Sequence, residues 1–135
     1  MLMVNELTVS YSQLIVYNKG TEKPFLDWTD ADIQHGYIEK DGVISFEAIA
    51  DYKCEINVFS PSRYEKPSGS TRTFSLPFSA DEEGIMVSSV GANPLEFSVP
   101  KGAYTLYVDA TPLETPKANG LFKVKYDLQF IPTKS

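Results

Sequence analysis

Apolar and polar residues alternate with period two from one end of this chain to the other. Near the C-terminus Phe122, Val124, Tyr126, Leu128 and Phe130 alternate with Lys123, Lys125, Asp127 and Gln129. The same rhythm recurs in Tyr52, Cys54, Ile56 and Val58 against Lys53, Glu55 and Asn57. Further short runs are Ile44/Phe46/Ala48 with Ser45 and Glu47 between, Phe74/Leu76/Phe78, Leu95/Phe97/Val99 and Tyr104/Leu106/Val108. Successive strand side chains point to opposite faces, so each run predicts a strand with one core face and one solvated face. Turn residues separate the runs: Asn18-Lys19-Gly20, Asp41-Gly42, Pro61-Ser62, Glu83-Gly84, Gly91-Ala92-Asn93-Pro94, Pro100-Lys101-Gly102 and Asn119-Gly120. Pro67-Ser68-Gly69-Ser70 reads as the most flexible loop. Short strands at this spacing predict a sandwich or barrel built by hairpins. The expected fold is an all-β antiparallel β-sandwich of about eight strands, formed by residues 1–135 as one domain.

One segment breaks the pattern. Thr29 suits a helix N-cap, with Asp32 three residues on in a capping-box-like place. Asp30 and Asp32 suit the positive end of a helix dipole, and Gly36 suits the stop. A helix of about two turns is therefore expected near residues 30–35. Pro100-Lys101-Gly102-Ala103-Tyr104 reads as a turn into a strand, with the Tyr104 hydroxyl tying the corner.

Hydrophobic residues make up 42% of the 135 positions, enough for one core. Net charge is −6, and its distribution matters more than its size. Between Asp27 and Glu55 eight acids (Asp27, Asp30, Asp32, Glu39, Asp41, Glu47, Asp51 and Glu55) face two bases, Lys40 and Lys53. That segment carries the whole net charge; the remaining 106 residues balance at ten acids and ten bases. Such a surface repels a phosphate backbone, so direct nucleic-acid binding is not expected. It suits a basic protein partner, with charge speeding encounter and an aromatic anchor supplying affinity. Solvated loop charge and dipole pairing explain the same acids without a partner. Trp28, the only tryptophan, likewise has two readings: an interface anchor, or a staple packing the helix onto the sheet.

A catalytic constellation does not assemble. His35 is the only histidine and has no partner in a nucleophile motif. Cys54, the only cysteine, falls on the apolar face of its strand and reads as an inert core thiol. Zinc needs more His and Cys than exist here. Asp27, Asp30 and Asp32 lack the Gly and distal Glu of a calcium loop. Asp30 and Asp32 lie two apart, so they do not face each other on a helix. No metal, cofactor or phosphate-binding glycine loop is expected. Neither a signal peptide nor a membrane-spanning run of roughly 18 apolar residues is expected from the sequence, which reads as cytoplasmic with no membrane insertion.

The block Asp27-Trp28-Thr29-Asp30, Gly36-Tyr37, and Asp41-Gly42 followed by Ile44-Ser45-Phe46-Glu47-Ala48 resembles the competence protein J family. Phe97-Ser98-Val99-Pro100-Lys101-Gly102-Ala103-Tyr104 and an early strand Leu7-Thr8-Val9-Ser10-Tyr11-Ser12-Gln13 are similar to it as well. Residues 61–71 and 111–120 carry no such likeness. The resemblance implies a small β protein, not an enzyme, that binds a metal-dependent DNA-entry nuclease used in transformation and blocks its DNA-degrading activity. An acidic patch would then occupy the positive cleft that the nuclease offers to DNA. On this reading the binding residues are Asp27, Trp28, Asp30, Asp32, Asp41, Glu47 and Asp51. Two rivals stand beside it: an immunity protein against a related nuclease toxin, and a small-ligand or carbohydrate-binding sandwich using exposed Trp28, Tyr37 or Tyr107.

Overall fold

The computed structural model describes residues 3–10, 13–21, 30–40, 42–89 and 94–133, without the side chains of 3–5, 32, 33 and 40. Ten strands follow in chain order: β1 (Met3–Thr8), β2 (Gln13–Asn18), β3 (Tyr37–Lys40), β4 (Val43–Glu47), β5 (Lys53–Phe59), β6 (Arg72–Ala80), β7 (Ile85–Ser88), β8 (Leu95–Phe97), β9 (Gly102–Pro112) and β10 (Val124–Pro132). Among the described residues one helix, α1 (Asp30–His35), precedes β3. Two five-stranded sheets result, sheet A in the order β1-β5-β10-β9-β6 and sheet B in the order β3-β4-β2-β7-β8. The expected all-β sandwich is observed. Among the described pairings β5–β10 alone is parallel, so the fold is not made by hairpins throughout. No helix among the described residues is long and apolar enough to cross a membrane.

The core lies between the sheets. Leu14, Val16, Ile44, Phe46, Ile85 and Val87 come from sheet B; Ile56, Val58, Leu106, Val108, Leu128 and Phe130 come from sheet A. Phe130 is fully buried and meets Phe78 and Tyr104 edge-on, with ring centroids 5.6 and 5.8 Å away. Truncating such a ring removes about 3–5 kcal/mol. The Tyr104 hydroxyl donates to the Pro100 carbonyl and ties that corner as expected.

Strand number and solvation differ from the sequence reading where both faces of a strand are covered. The early segment 7–13 is not one strand: β1 ends at Thr8 and β2 starts at Gln13, with a bridge between Ser10 and Gln13 at the corner. Leu14 to Tyr17 of β2 are buried in succession, so β2 shows no alternation. Ile15, Tyr17 and Val43 form a second buried apolar cluster with Met86 packed against it. Ser45, expected on a solvated face, is fully buried on β4. On sheet A, Asn57, Asp127 and Gln129 were expected to face water and are instead 4–7% exposed.

The cause on sheet A is the crossover from β5 to β6, residues 60–71. It crosses the outer face and is held there by polar contacts. Asp109 on β9 is fully buried and accepts hydrogen bonds from the hydroxyls of Tyr64 (2.7 Å), Ser70 (2.8 Å) and Thr73. A buried carboxylate without donors would cost several kcal/mol. Gln129 pairs twice with the Glu65 backbone, accepting from its N–H at 3.2 Å and donating to its carbonyl at 2.7 Å. The Tyr64 ring stacks on Tyr107 with centroids 4.0 Å apart. Pro67 to Ser70 close a turn, with Gly69 at φ 85° and the Ser70 N–H donating to the Pro67 carbonyl.

Burial, reinforced by the bond to Asp109, pushes the Tyr64 phenol up to about 12 from the ordinary 10.0. The folded protein thus holds this proton more tightly than the unfolded chain does. Its contribution is complete below pH 10 and is lost as pH rises from about 10 towards 12. Tyr64→Phe leaves Asp109 one donor short and is expected to cost about 1–3 kcal/mol at pH 8. In urea unfolding the variant's stability should also fall less steeply than the parent's between about pH 10 and 12.

Candidate functional site

The acidic segment is organised around the exit of α1. The helix covers Asp30–His35, as the sequence predicts, and stops at Gly36 with φ 84°. That conformation strongly favours glycine. A side chain at 36 would also collide with the Arg72 guanidinium and press on Phe74. The Gly36 carbonyl accepts the Glu47 N–H at 2.7 Å, so the chain turns from α1 straight into β3, an edge strand of sheet B.

Arg72 begins β6, an edge strand of sheet A, and reaches across to the other sheet. Its Nη1 donates to Glu47 Oε1 on β4, and its guanidinium lies 4.8 Å from the centre of the Phe74 ring. Phe74 in turn meets Phe46 and Tyr37, with centroids 5.3 and 6.1 Å away, and Tyr37 lies 6.3 Å from His35. An aromatic seam with one ion pair therefore closes the two sheet edges and carries the helix.

The predicted site residues distribute unevenly around this seam. Asp30 is exposed at the start of α1, and Asp32 lies within the same helix. Glu47 is half-buried, with its charge offset by Arg72. Asp51 is exposed on the connection from β4 to β5, which continues directly from Glu47. Asp27, Trp28, Asp41 and the Thr29 cap lie outside the described residues. Sequence reasoning counted Glu39 in the acidic segment without selecting it. It is exposed on edge strand β3, four positions beyond His35. Arg72 was missed, because nothing in its own neighbourhood signals a partner 25 positions away.

The site offers little to a reaction. Cys54 is 1% exposed, and burial pushes its thiol up to about 12, so no thiolate forms near neutral pH. No group of three or more His, Cys, Asp or Glu among the described residues could hold a metal ion. Tyr37 and Tyr107 do not stand out as exposed platforms for a sugar. Both are half-buried, Tyr37 in the seam and Tyr107 under Tyr64.

Gly36→Ala is expected to cost about 1–3 kcal/mol by chemical denaturation, from backbone strain plus displacement of Arg72. Gly42 has a similar φ of 80° but nothing within 4 Å of an added Cβ. Gly42→Ala should therefore show the backbone part alone, about 1 kcal/mol. Equal losses at the two positions would contradict the close approach at Gly36.

Comparison with known proteins agrees with this fold. The family model for competence protein J (ComJ) matches residues 6–131. A Bacillus subtilis (strain 168) protein named DNA-entry nuclease inhibitor is 38% identical over 109 residues, covering 81% of this chain and 82% of its own. The crystal structure of ComJ from Bacillus subtilis, described as an inhibitor of the DNA degrading activity of NucA, matches with a TM-score of 0.78. That match is 32% identical and covers 96% of each chain. The two-sheet architecture and a match across nearly the whole length lead to one conclusion: the chain belongs to the competence protein J family.

Proposed function

We propose that this chain inhibits a DNA-entry nuclease by binding it, and is not itself an enzyme. The observation that carries the reading is its likeness, over four-fifths of its length, to a relative named for that inhibition. The acidic edge supports a physical mode. A nuclease cleft is positive because its substrate is a polyanion, so a rigid array of carboxylates can compete for it. Exposed Asp30 on α1, Glu39 on β3 and Asp51 on the connection after β4 would supply such an array, with Asp32 assigned to it from its place in the same helix segment. Asp27, Trp28 and Asp41 belong to the same stretch of sequence and complete the proposed contact, with Trp28 as its aromatic anchor. Glu47 contributes by fixing Arg72 and the helix exit more than by its own charge. Being largely electrostatic, the association weakens with salt.

The test reverses the helix charges. Asp30→Lys with Asp32→Lys should weaken inhibition by at least about tenfold at low salt, while the melting temperature stays close to the parent's. Glu82→Lys with Glu83→Lys makes the same charge change on the exposed turn before β7 and should leave inhibition within about twofold. Unchanged inhibition by the helix variant would remove α1 from the interface. An equal loss in both variants would show dependence on net charge alone.

A further inference from the structure

Glu39 is an exposed acid on the core-facing side of β3. Its register partner on β4 is Ile44, a fully buried core residue. Tyr37, two positions earlier and so on the same face, packs against the core as well. The Glu39 side chain is therefore directed toward sheet A, and open space lies there. A pocket of about 270 Å³ separates Glu39 and Gly42 from Pro77, Phe78 and Ser79 of β6. The two sheets are tied together on either side of it. At one end of β6, Arg72 donates to Glu47. At the other end Asn18 of β2 donates to the Ser79 carbonyl at 2.9 Å and accepts the Asp81 N–H at 3.0 Å. No ion pair reaches Glu39 among the described residues, and Pro77 across the pocket has no N–H to offer it. The Glu47 N–H bonds the Gly36 carbonyl, and antiparallel pairs alternate. Glu39 thus leaves its backbone carbonyl at the open edge of β3 too.

We propose that this pocket receives one basic side chain, lysine or arginine, of the inhibited nuclease. The inference rests on the inhibitor reading and names a contact through which inhibition is made. The Glu39 carboxylate accepts charge-assisted hydrogen bonds from the head group, and Pro77 and Phe78 cover the methylene stem. Charge selects the occupant. Glu39 belongs to the segment that carries the whole net charge of the chain, so a cation is drawn in and a carboxylate or phosphate is repelled. Gly42 keeps the mouth clear, since a Cβ there would meet nothing within 4 Å. The ties at both ends of β6 hold the walls before the partner arrives, so little ordering is needed on binding. A pair seated between these walls is screened by salt less than the exposed charges of α1 are. An inward-pointing charge on an edge strand has one other use, which is to prevent pairing with a second copy. The two roles differ in what removal of the charge does.

The experiment measures the inhibition constant of the full-length protein against a DNA-entry nuclease at about 50 mM and about 500 mM salt, with the oligomeric state of each variant read by light scattering. Glu39→Gln is expected to weaken inhibition at least about tenfold at both salts, while the protein stays monodisperse. Gly42→Asn keeps the charge, suits the φ of 80° and narrows the mouth, so a loss of at least about fivefold is expected. Glu82→Gln removes one exposed charge from the turn before β7 and should stay within about twofold of the parent. A parent that inhibits while Glu39→Gln and Gly42→Asn match it would overturn the pocket and leave the inhibitor reading intact. A parent that does not inhibit would remove that reading and this occupant together. A loss in Glu39→Gln that vanishes at high salt, with Gly42→Asn unaffected, would make Glu39 one surface charge among several and overturn the pocket. Self-association of Glu39→Gln with undiminished inhibition would assign the charge to edge protection and overturn it as well.

Discussion

The bond from Arg72 to Glu47 is the contact on which the arrangement of the acidic edge depends. It joins the first residue of β6 in sheet A to the last residue of β4 in sheet B. Both side chains are about one-third exposed, so the charge attraction itself contributes little, roughly 0–1 kcal/mol. Its importance is geometric. The guanidinium fills the space beside Gly36 that any side chain would need, and it lies over Phe74, which packs on Phe46 and Tyr37. The aromatic rings supply the apolar burial, and the ion pair fixes where the two sheet edges meet. With that junction set, the glycine turn can send the chain from α1 into β3 in one direction only.

The two sheets solve the problem of their outer faces differently. Sheet B buries an apolar cluster of Ile15, Tyr17 and Val43, so its central strand is hydrophobic on both sides. Sheet A buries polar groups instead, and each needs a partner under the crossover. Three hydroxyls supply Asp109, and the backbone of Glu65 supplies Gln129. Asp127 has the Asn57 amide and the Lys125 ammonium beside it, and the Asn57 Oδ1 is left without a partner. A satisfied polar network of this kind holds the crossover rigidly against the sheet. The acidic edge and the polar face thus belong to different sheets.

Much of the fold was legible in the residues, and the exceptions share one cause. β5, β6, β8, β9 and β10 alternate, and β6 keeps its alternating burial in the structure. α1 was legible because a cap pattern and a glycine stop bracket it within eight residues. The tyrosine at position 104 was legible as a corner because it follows its own turn. β2, β3 and β7 were not, since a strand covered on both faces or only four residues long has no period to read. Asp127 and Gln129 looked solvated because their cover comes from residues more than 60 positions away. The candidate site shows the same division. Its charge cluster and family likeness are local in sequence, whereas Arg72 acts across 25 positions and left no mark beside it.

Electrostatic inhibition is tested most directly by DNA digestion with a DNA-entry nuclease titrated with this protein. Rates are normalised to the nuclease alone at about 50 mM and about 500 mM salt. Digestion is expected to stop near equimolar protein at low salt, with the inhibition constant at least about tenfold weaker at high salt. Inhibition of equal strength at both salts would contradict the acidic-edge mechanism, and undiminished digestion at every ratio would contradict the inhibitor function itself.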